Sequence, residues 1–191
     1  MKEKVIKELK SWGVILIIFG GLYITGLHTE VFGFLQRILV STGIVNADTE
    51  VEHLGYTDYK WQVAEFKSGE KINFDEFKGK TVFLNIWASW CPPCIAEMPS
   101  IEGLYQKLKD KDDVVFVILN VDEDKSKAEK FLKRKDFSFP VYSRNAPTPP
   151  IFQSRSIPTT FVINKEGEII FKHTGLANYD TDDFVKMLSS N

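Results

Sequence analysis

Residues 81–99 read TVFLNIWASWCPPCIAEMP, and the rest of the chain is best read from this stretch. Its opening run, TVFLNIW, is mostly apolar, as expected for a central strand buried on both faces. Cys91-Pro92-Pro93-Cys94 follows and leads into an amphipathic helix through about Leu108. Pro92 is at home in the first turn of such a helix. Two cysteines at this spacing on a helix start can approach to disulfide distance. Unpaired N–H groups and the helix dipole favour a thiolate at the first cysteine. The second lies one turn in and is better shielded. The spacing therefore makes Cys91 the attacking sulfur and Cys94 the resolving one. Cys91 would form a mixed disulfide with substrate; Cys94 would release the reduced substrate and close the Cys91–Cys94 bond. Taken alone, the CxxC leaves half a metal site or a structural disulfide open.

The flanking sequence extends the pattern. Residues 61–66 read as a strand, 68–70 as a turn and 71–74 as a short returning strand. Residues 114–121, VVFVILNV, form a second buried strand, and 125–135 a charged helix. Residues 160–164 and 168–173 flank Lys165-Glu166-Gly167, a hairpin signal. A closing helix spans 180–188, with Asp180 or Thr181 as its cap. The expected order is β-β-β-α-β-α, a loop, then β-β-α. Buried strands alternating with helices predict a mixed sheet covered on both faces. Proline-rich residues 139–150 are expected to be a surface loop. There is no internal repeat.

The chain has 191 residues, 24 Lys+Arg against 26 Asp+Glu, 43% hydrophobic and 26% charged residues. These values are ordinary for a globular protein and exclude collagen-like, prion-like and wholly disordered chains. A net charge of −2 gives no drive toward nucleic acid. Two cysteines make neither a disulfide-stapled scaffold nor an all-cysteine zinc site. Residues 1–10 are basic, with Lys2, Lys4, Lys7 and Lys10, and 11–29 carry no charge. A bilayer core about 30 Å thick needs about 20 helical residues, with about 17 as a floor. The uncharged stretch reaches that floor, and the bulky residues after it disfavour signal cleavage. A retained single-pass anchor is expected. The positive-inside rule places residues 1–10 in the cytoplasm and the rest in the periplasm or its equivalent. Residues 31–45 tempt a second span, which would return the domain to the cytosol. Arg37 at their centre would cost roughly 2.5–3.5 kcal/mol, so a surface-lying amphipathic helix is the better reading. The organisation is thus basic segment 1–10, anchor 11–29, amphipathic segment and acidic tether 30–59, and folded domain 60–191.

The chain resembles the thioredoxin superfamily, and most of all the membrane-anchored TlpA/ResA-like thiol–disulfide oxidoreductases. The resemblance covers about residues 60–191 and rests on FLNIWASWCPPCIAEMP and SIPTTFVIN, residues 83–99 and 156–164. It implies an α/β thioredoxin fold with an added amino-terminal β-hairpin. It implies a cis Ile157–Pro158 bond beside Cys91, with the Ile157 backbone available to pair with substrate. It places Asn85 where cytoplasmic thioredoxins carry a buried aspartate, and gives Glu97 a role in cysteine ionisation. The plain alternative for Glu97 is an exposed first-turn glutamate favoured by the helix dipole. Trp90, Pro92 and Pro93 would shape the substrate surface; Trp87 reads as packing. Met98-Pro99 reads as a proline kink. Pro92 and Pro93 donate no N–H to a Cys91 thiolate and no histidine lies between the cysteines, so a reducing site is expected. The implied substrates are protein disulfides, apocytochrome c among them, and the implied donor is a membrane thiol relay. No cofactor beyond the redox-active disulfide, and no metal, is expected. Rival readings are an oxidase or isomerase of the same fold, a thiol peroxidase, and a copper-binding module using His173. The copper relatives use a wider CxxxC spacing. Asp122-Glu123-Asp124 is expected to be a solvated helix cap.

Overall fold

The computed structural model describes residues 2–25, 46–47, 49–51 and 53–190. The amphipathic segment expected at 31–45 lies outside them, as do residues 26–29 of the expected anchor. Seven strands form one sheet: β1 (Gln62–Glu65), β2 (Lys71–Asn73), β3 (Thr81–Trp87), β4 (Val114–Asn120), β5 (Val141–Arg144), β6 (Thr159–Ile163) and β7 (Ile169–Thr174). Their order is β2-β1-β5-β4-β3-β6-β7. β3 and β5 run parallel to β4, while the β1–β2, β1–β5, β3–β6 and β6–β7 pairs are antiparallel. The mixed sheet and the amino-terminal hairpin are as expected. Four helices are described: α1 (Lys2–Thr25), α2 (Pro92–Leu108), α3 (Lys125–Lys133) and α4 (Asp182–Ser190).

All seven residues of β3 are buried, and strand alternation divides them between two cores. Phe83 and Trp87 face the layer built by α2, α3 and α4, beside Ile101, Phe131 and Phe184. Val82, Leu84 and Ile86 face the opposite side, beside Trp61, Phe74, Phe152 and Phe161. Phe83 meets Tyr179 and Phe184 edge-on, at 5.3 and 5.9 Å between ring centres. Burying one such ring contributes about 1.5–3 kcal/mol, so this cluster fixes α4 and the loop before it onto the sheet. The β6–β7 turn has Gly167 at φ +86°, a conformation costly for any residue with a Cβ. Thr181, one of the two expected caps, accepts from the Phe184 N–H at 3.2 Å.

Three expectations are corrected. Residues 139–150 are not simply a surface loop. β5 lies within them, between β1 and β4, with Tyr142 and Ser143 buried. The strand is four residues long and flanked by prolines, so no alternation stands out, and its long-range pairing supplies the order. The described part of the expected tether is not free either. The Leu54 and Thr57 N–H groups donate to the Ile169 and Gly167 carbonyls at 3.0 and 2.8 Å, and Ile169 N–H donates to the Gly55 carbonyl at 2.8 Å. His53 Nδ1 lies 2.7 Å from Glu168 Oε1. These bonds pair the start of β7, the edge strand beside β6, where unpaired backbone would otherwise face solvent.

The third correction concerns Asp122-Glu123-Asp124. Asp124 does cap α3, accepting from the Ser126 N–H at 3.0 Å. Asp122 is instead buried and accepts from Ser89 N–H (2.8 Å), Ser89 Oγ (2.9 Å) and Asn120 Nδ2 (2.6 Å). It ties the turn before Cys91 to the end of β4. Replacing Asp122 by alanine leaves these donors unpaired and is expected to cost about 1–3 kcal/mol. Urea unfolding of the oxidised protein checks this; an unchanged midpoint would mean that Asp122 holds nothing.

Amino-terminally, α1 runs from the lysine-rich segment into the uncharged stretch. Among the described residues, no helix is long and apolar enough to cross a membrane. The described part of the uncharged stretch, residues 11–25, is shorter than the roughly 17-residue floor for a span.

Candidate redox site

The site forms where β3 ends and α2 begins. β3 is fixed by neighbours on both sides, so the turn 88–90 and the first residue of α2 inherit a rigid frame. Cys91 is the N-cap of α2 and is joined to Cys94 by a disulfide. Pro92 and Pro93 supply no N–H in the first turn. The Cys94 N–H reaches Cys91 Sγ at 3.3 Å, and the Ile95 N–H returns to the Cys91 carbonyl at 3.1 Å. A thiolate on Cys91 would thus receive one backbone donor at the positive end of α2.

The two sulfurs are unequally placed. Cys94 is fully buried, whereas Cys91 is 4% exposed. Cys91 borders a groove of about 510 Å³ lined by Trp90, Pro92, Pro93, Val121 and Ile157, with Ser154, Arg155 and Ser156 along one lip. Trp90 is 57% exposed and stands as a wall of this groove; Trp87 is buried against Phe131. The Ile157–Pro158 bond is cis, and the Ile157 carbonyl oxygen lies 3.7 Å from Cys91 Sγ. The loop before it is braced: Thr159 Oγ1 donates to the Ser156 carbonyl at 2.7 Å, as does Ser154 Oγ at 2.8 Å. The structure thus brings Trp90, Cys91, Pro92, Pro93 and Ile157 around one opening, with Cys94 behind it.

Glu97 is not the exposed first-turn residue that the sequence pattern alone allows. It is fully buried on the inner face of α2. Asn85 Nδ2, from β3, donates to Glu97 Oε1 at 2.8 Å and to Thr160 Oγ1, from β6, at 2.9 Å. Tyr179 donates its hydroxyl to the same Thr160 oxygen at 2.8 Å. Burial pushes the Glu97 carboxyl well above the usual carboxylate range; the Asn85 amide and the backbone of Ala177 pull less strongly the other way. Burial likewise raises the Tyr179 phenol well above its ordinary value, with the nearby Glu97 charge adding to it. Glu97 Oε2 and Asn85 Oδ1 are buried without a hydrogen-bond partner. Thr160 and Tyr179 were not singled out in the sequence; Thr160 lies inside the quoted SIPTTFVIN stretch, but no sequence signal points to Tyr179.

Among the described residues, no three His, Cys, Asp or Glu side chains are grouped to hold a metal ion. His173 stacks on Phe171, with 6.4 Å between ring centres.

The comparisons with known proteins agree with this geometry. The Redoxin family model matches residues 61–188. The chain is 36% identical over 157 residues to thiol-disulfide oxidoreductase ResA of Bacillus subtilis, covering 73% of this chain and 86% of the relative. It is 36% identical over 128 residues to ResA of Halalkalibacterium halodurans, covering 66% of this chain and 72% of the relative. Among solved structures it is similar to StoA from Bacillus subtilis, with TM-score 0.56 and 26% identity over 66% of this chain and 95% of that one. It also shares its fold with a DsbF homologue from Corynebacterium diphtheriae, with TM-score 0.56 and 23% identity over 72% of this chain and 92% of that one. A thioredoxin-like mixed sheet, a Cys91–Cys94 disulfide at a helix start and these relatives place the chain in the redoxin family, among the ResA-like thiol–disulfide oxidoreductases of the thioredoxin superfamily.

Proposed function

We propose that this oxidoreductase reduces protein disulfides outside the cytoplasm through Cys91 and Cys94. The observation that carries this reading is the inequality of the sulfurs: only Cys91 borders the groove. In the reduced protein the Cys91 thiolate attacks one sulfur of a substrate disulfide. That bond breaks, and the other substrate sulfur leaves as a thiolate and takes up a proton. Glu97, ionised in the reduced protein, takes the proton of Cys94; the Cys94 thiolate attacks Cys91 Sγ and expels the second substrate thiolate, leaving the Cys91–Cys94 disulfide and a protonated Glu97. Two electrons pass to the substrate, and a membrane thiol donor restores them. Trp90, Pro92, Pro93 and the Ile157 carbonyl present the binding surface, and cis-Pro158 sets that carbonyl beside the sulfur. No cofactor beyond the disulfide takes part. Apocytochrome c, whose haem-attachment cysteines must be reduced, is one such substrate.

The location rests on the amino terminus. A helix over the uncharged residues 11–29 would rise about 28 Å, close to the bilayer core. Trp12, Leu16, Ile17, Tyr23 and Ile24 of α1 are exposed, an apolar surface that lipid would cover. The lysines before it set the orientation, with the redox domain in the periplasm or its equivalent.

The direction of electron flow is tested by the Cys91–Cys94 reduction potential of the full chain in detergent, followed by tryptophan fluorescence in redox buffers. With one backbone donor reaching Cys91 Sγ and no imidazole between the cysteines, a value near or below about −230 mV is expected. A value near about −120 mV would mark an oxidant and reverse the proposed direction.

A further inference from the structure

Asn46 and Ala47 precede β1 in the chain, yet Ala47 is a core residue, only 6% exposed. Its N–H donates to the Asn178 carbonyl at 3.1 Å, and Asn178 Nδ2 donates to Asn46 Oδ1 at 3.0 Å. Asn46 and Asn178 form a short parallel bridge. Asn178 lies in the loop between β7 and α4, and its two neighbours reach the redox site from behind. Ala177 turns its backbone toward the Glu97 carboxyl. Tyr179 donates its hydroxyl to Thr160 and its N–H to Ser100 Oγ at 3.3 Å, while Ser100 Oγ donates to the Glu97 carbonyl at 2.8 Å. Ala177, Tyr179 and Glu97 are all fully buried.

We propose that Asn46 and Ala47 are positioning residues for the redox site: docked on Asn178, they hold the 175–181 loop closed over Glu97. Asn46 and Ala47, which lie before the folded domain expected at 60–191, then belong to the structure that sets Glu97. This deepens the function proposed above and rests on the role given there to Glu97.

The physical link is water. Burial is what favours the neutral Glu97 carboxyl, so opening the loop lets it ionise at lower pH. The titratable group that interacts with it is Tyr179 on the loop, and Cys94 lies three residues before it on its own helix. Asn85 from β3 and Thr160 from β6 do not titrate. A Glu97 that carries its charge earlier opposes a second charge on the thiols, so thiolate formation moves to higher pH.

The test uses the full chain. Ala47→Gln is too large and polar for its buried place and adds no charge near the sulfurs; Ala47→Gly keeps the docking bonds. Two readouts are followed, the pH dependence of thiol alkylation in the reduced protein and amide exchange across residues 175–181. In Ala47→Gln, loop exchange is expected to rise and the alkylation midpoint to move up by about half a pH unit or more. Ala47→Gly should leave both near the parent values. In a Glu97→Gln background, Ala47→Gln should leave the alkylation midpoint where Glu97→Gln alone sets it. Faster loop exchange with an unmoved midpoint, in a protein where Glu97→Gln does move it, overturns the inference. Unchanged loop exchange in Ala47→Gln overturns the docking itself. If Glu97→Gln moves no midpoint, the role of Glu97 fails first and takes this inference with it.

Discussion

Cys91→Ser is expected to abolish turnover, and Cys94→Ser to leave a protein that holds its substrates covalently. The two outcomes differ because the sulfurs have different access. Cys91 borders the groove and is, in the proposed reaction, the only sulfur of the pair that a substrate disulfide would meet. A serine hydroxyl there is a far weaker nucleophile than a thiolate, so the loss should reach about a thousandfold or more. Cys94 is fully buried, and in the proposed reaction it acts only on the mixed disulfide. Without it the first bond still forms, and the second exchange has no attacking group. Reduction of a model protein disulfide measures the first effect, and non-reducing electrophoresis of cell extracts the second. Adducts on Cys91→Ser would reverse the roles. A Cys94→Ser protein that traps no partner in cells would count against protein substrates.

What the sequence made legible follows from range. β3 and β4 could be read because both faces of each are covered, which forces an apolar run into consecutive residues. The cysteines could be read because a helix start and a three-residue spacing are local facts. β5 could not be: Pro140 precedes it, Pro147, Pro149 and Pro150 follow, and its order comes from partners distant in sequence. Asp122 looked like part of a solvated acidic run because its partner Ser89 is 33 positions away. The acidic tether expected within 30–59 looked free for the same reason, since the bonds of its described residues run to 167–169 and 178. Glu97 is the instructive case. First-turn chemistry alone allows an exposed carboxylate, and only the resemblance pointed inward. The fold explains the burial: α2 lies on the sheet face that Asn85 shares with Phe83 and Trp87, so Glu97 turns toward β3.

Glu97→Gln is expected to stabilise the oxidised protein increasingly as pH rises. Burial holds the native carboxyl well above its usual range, whereas in the unfolded chain it ionises near about 4.3. Between these two values the native protein keeps a proton that the unfolded chain has shed. Stability therefore falls as pH rises through that window, by about 1.4 kcal/mol per pH unit for the one proton, and levels off above the folded value. Below the unfolded value both states are protonated and the term vanishes. Glutamine has no such slope. Its oxygen can accept from Asn85 Nδ2 as Oε1 does, and its amide N–H groups are donors where the ionised carboxylate has none. The same reasoning accounts for the two partnerless oxygens, Glu97 Oε2 and Asn85 Oδ1. An ionised, unpaired Oε2 in the core is costly, whereas a proton on it makes a donor available to the carboxyl–amide pair. The oxidised state is also the one in which the proposed reaction leaves that proton on Glu97. Urea unfolding of parent and variant at a series of pH values checks the prediction. The two should agree near pH 4 and diverge above it, with the variant the more stable; parallel curves would mean that Glu97 is ionised in the folded, oxidised protein and cannot be the group that has taken the Cys94 proton.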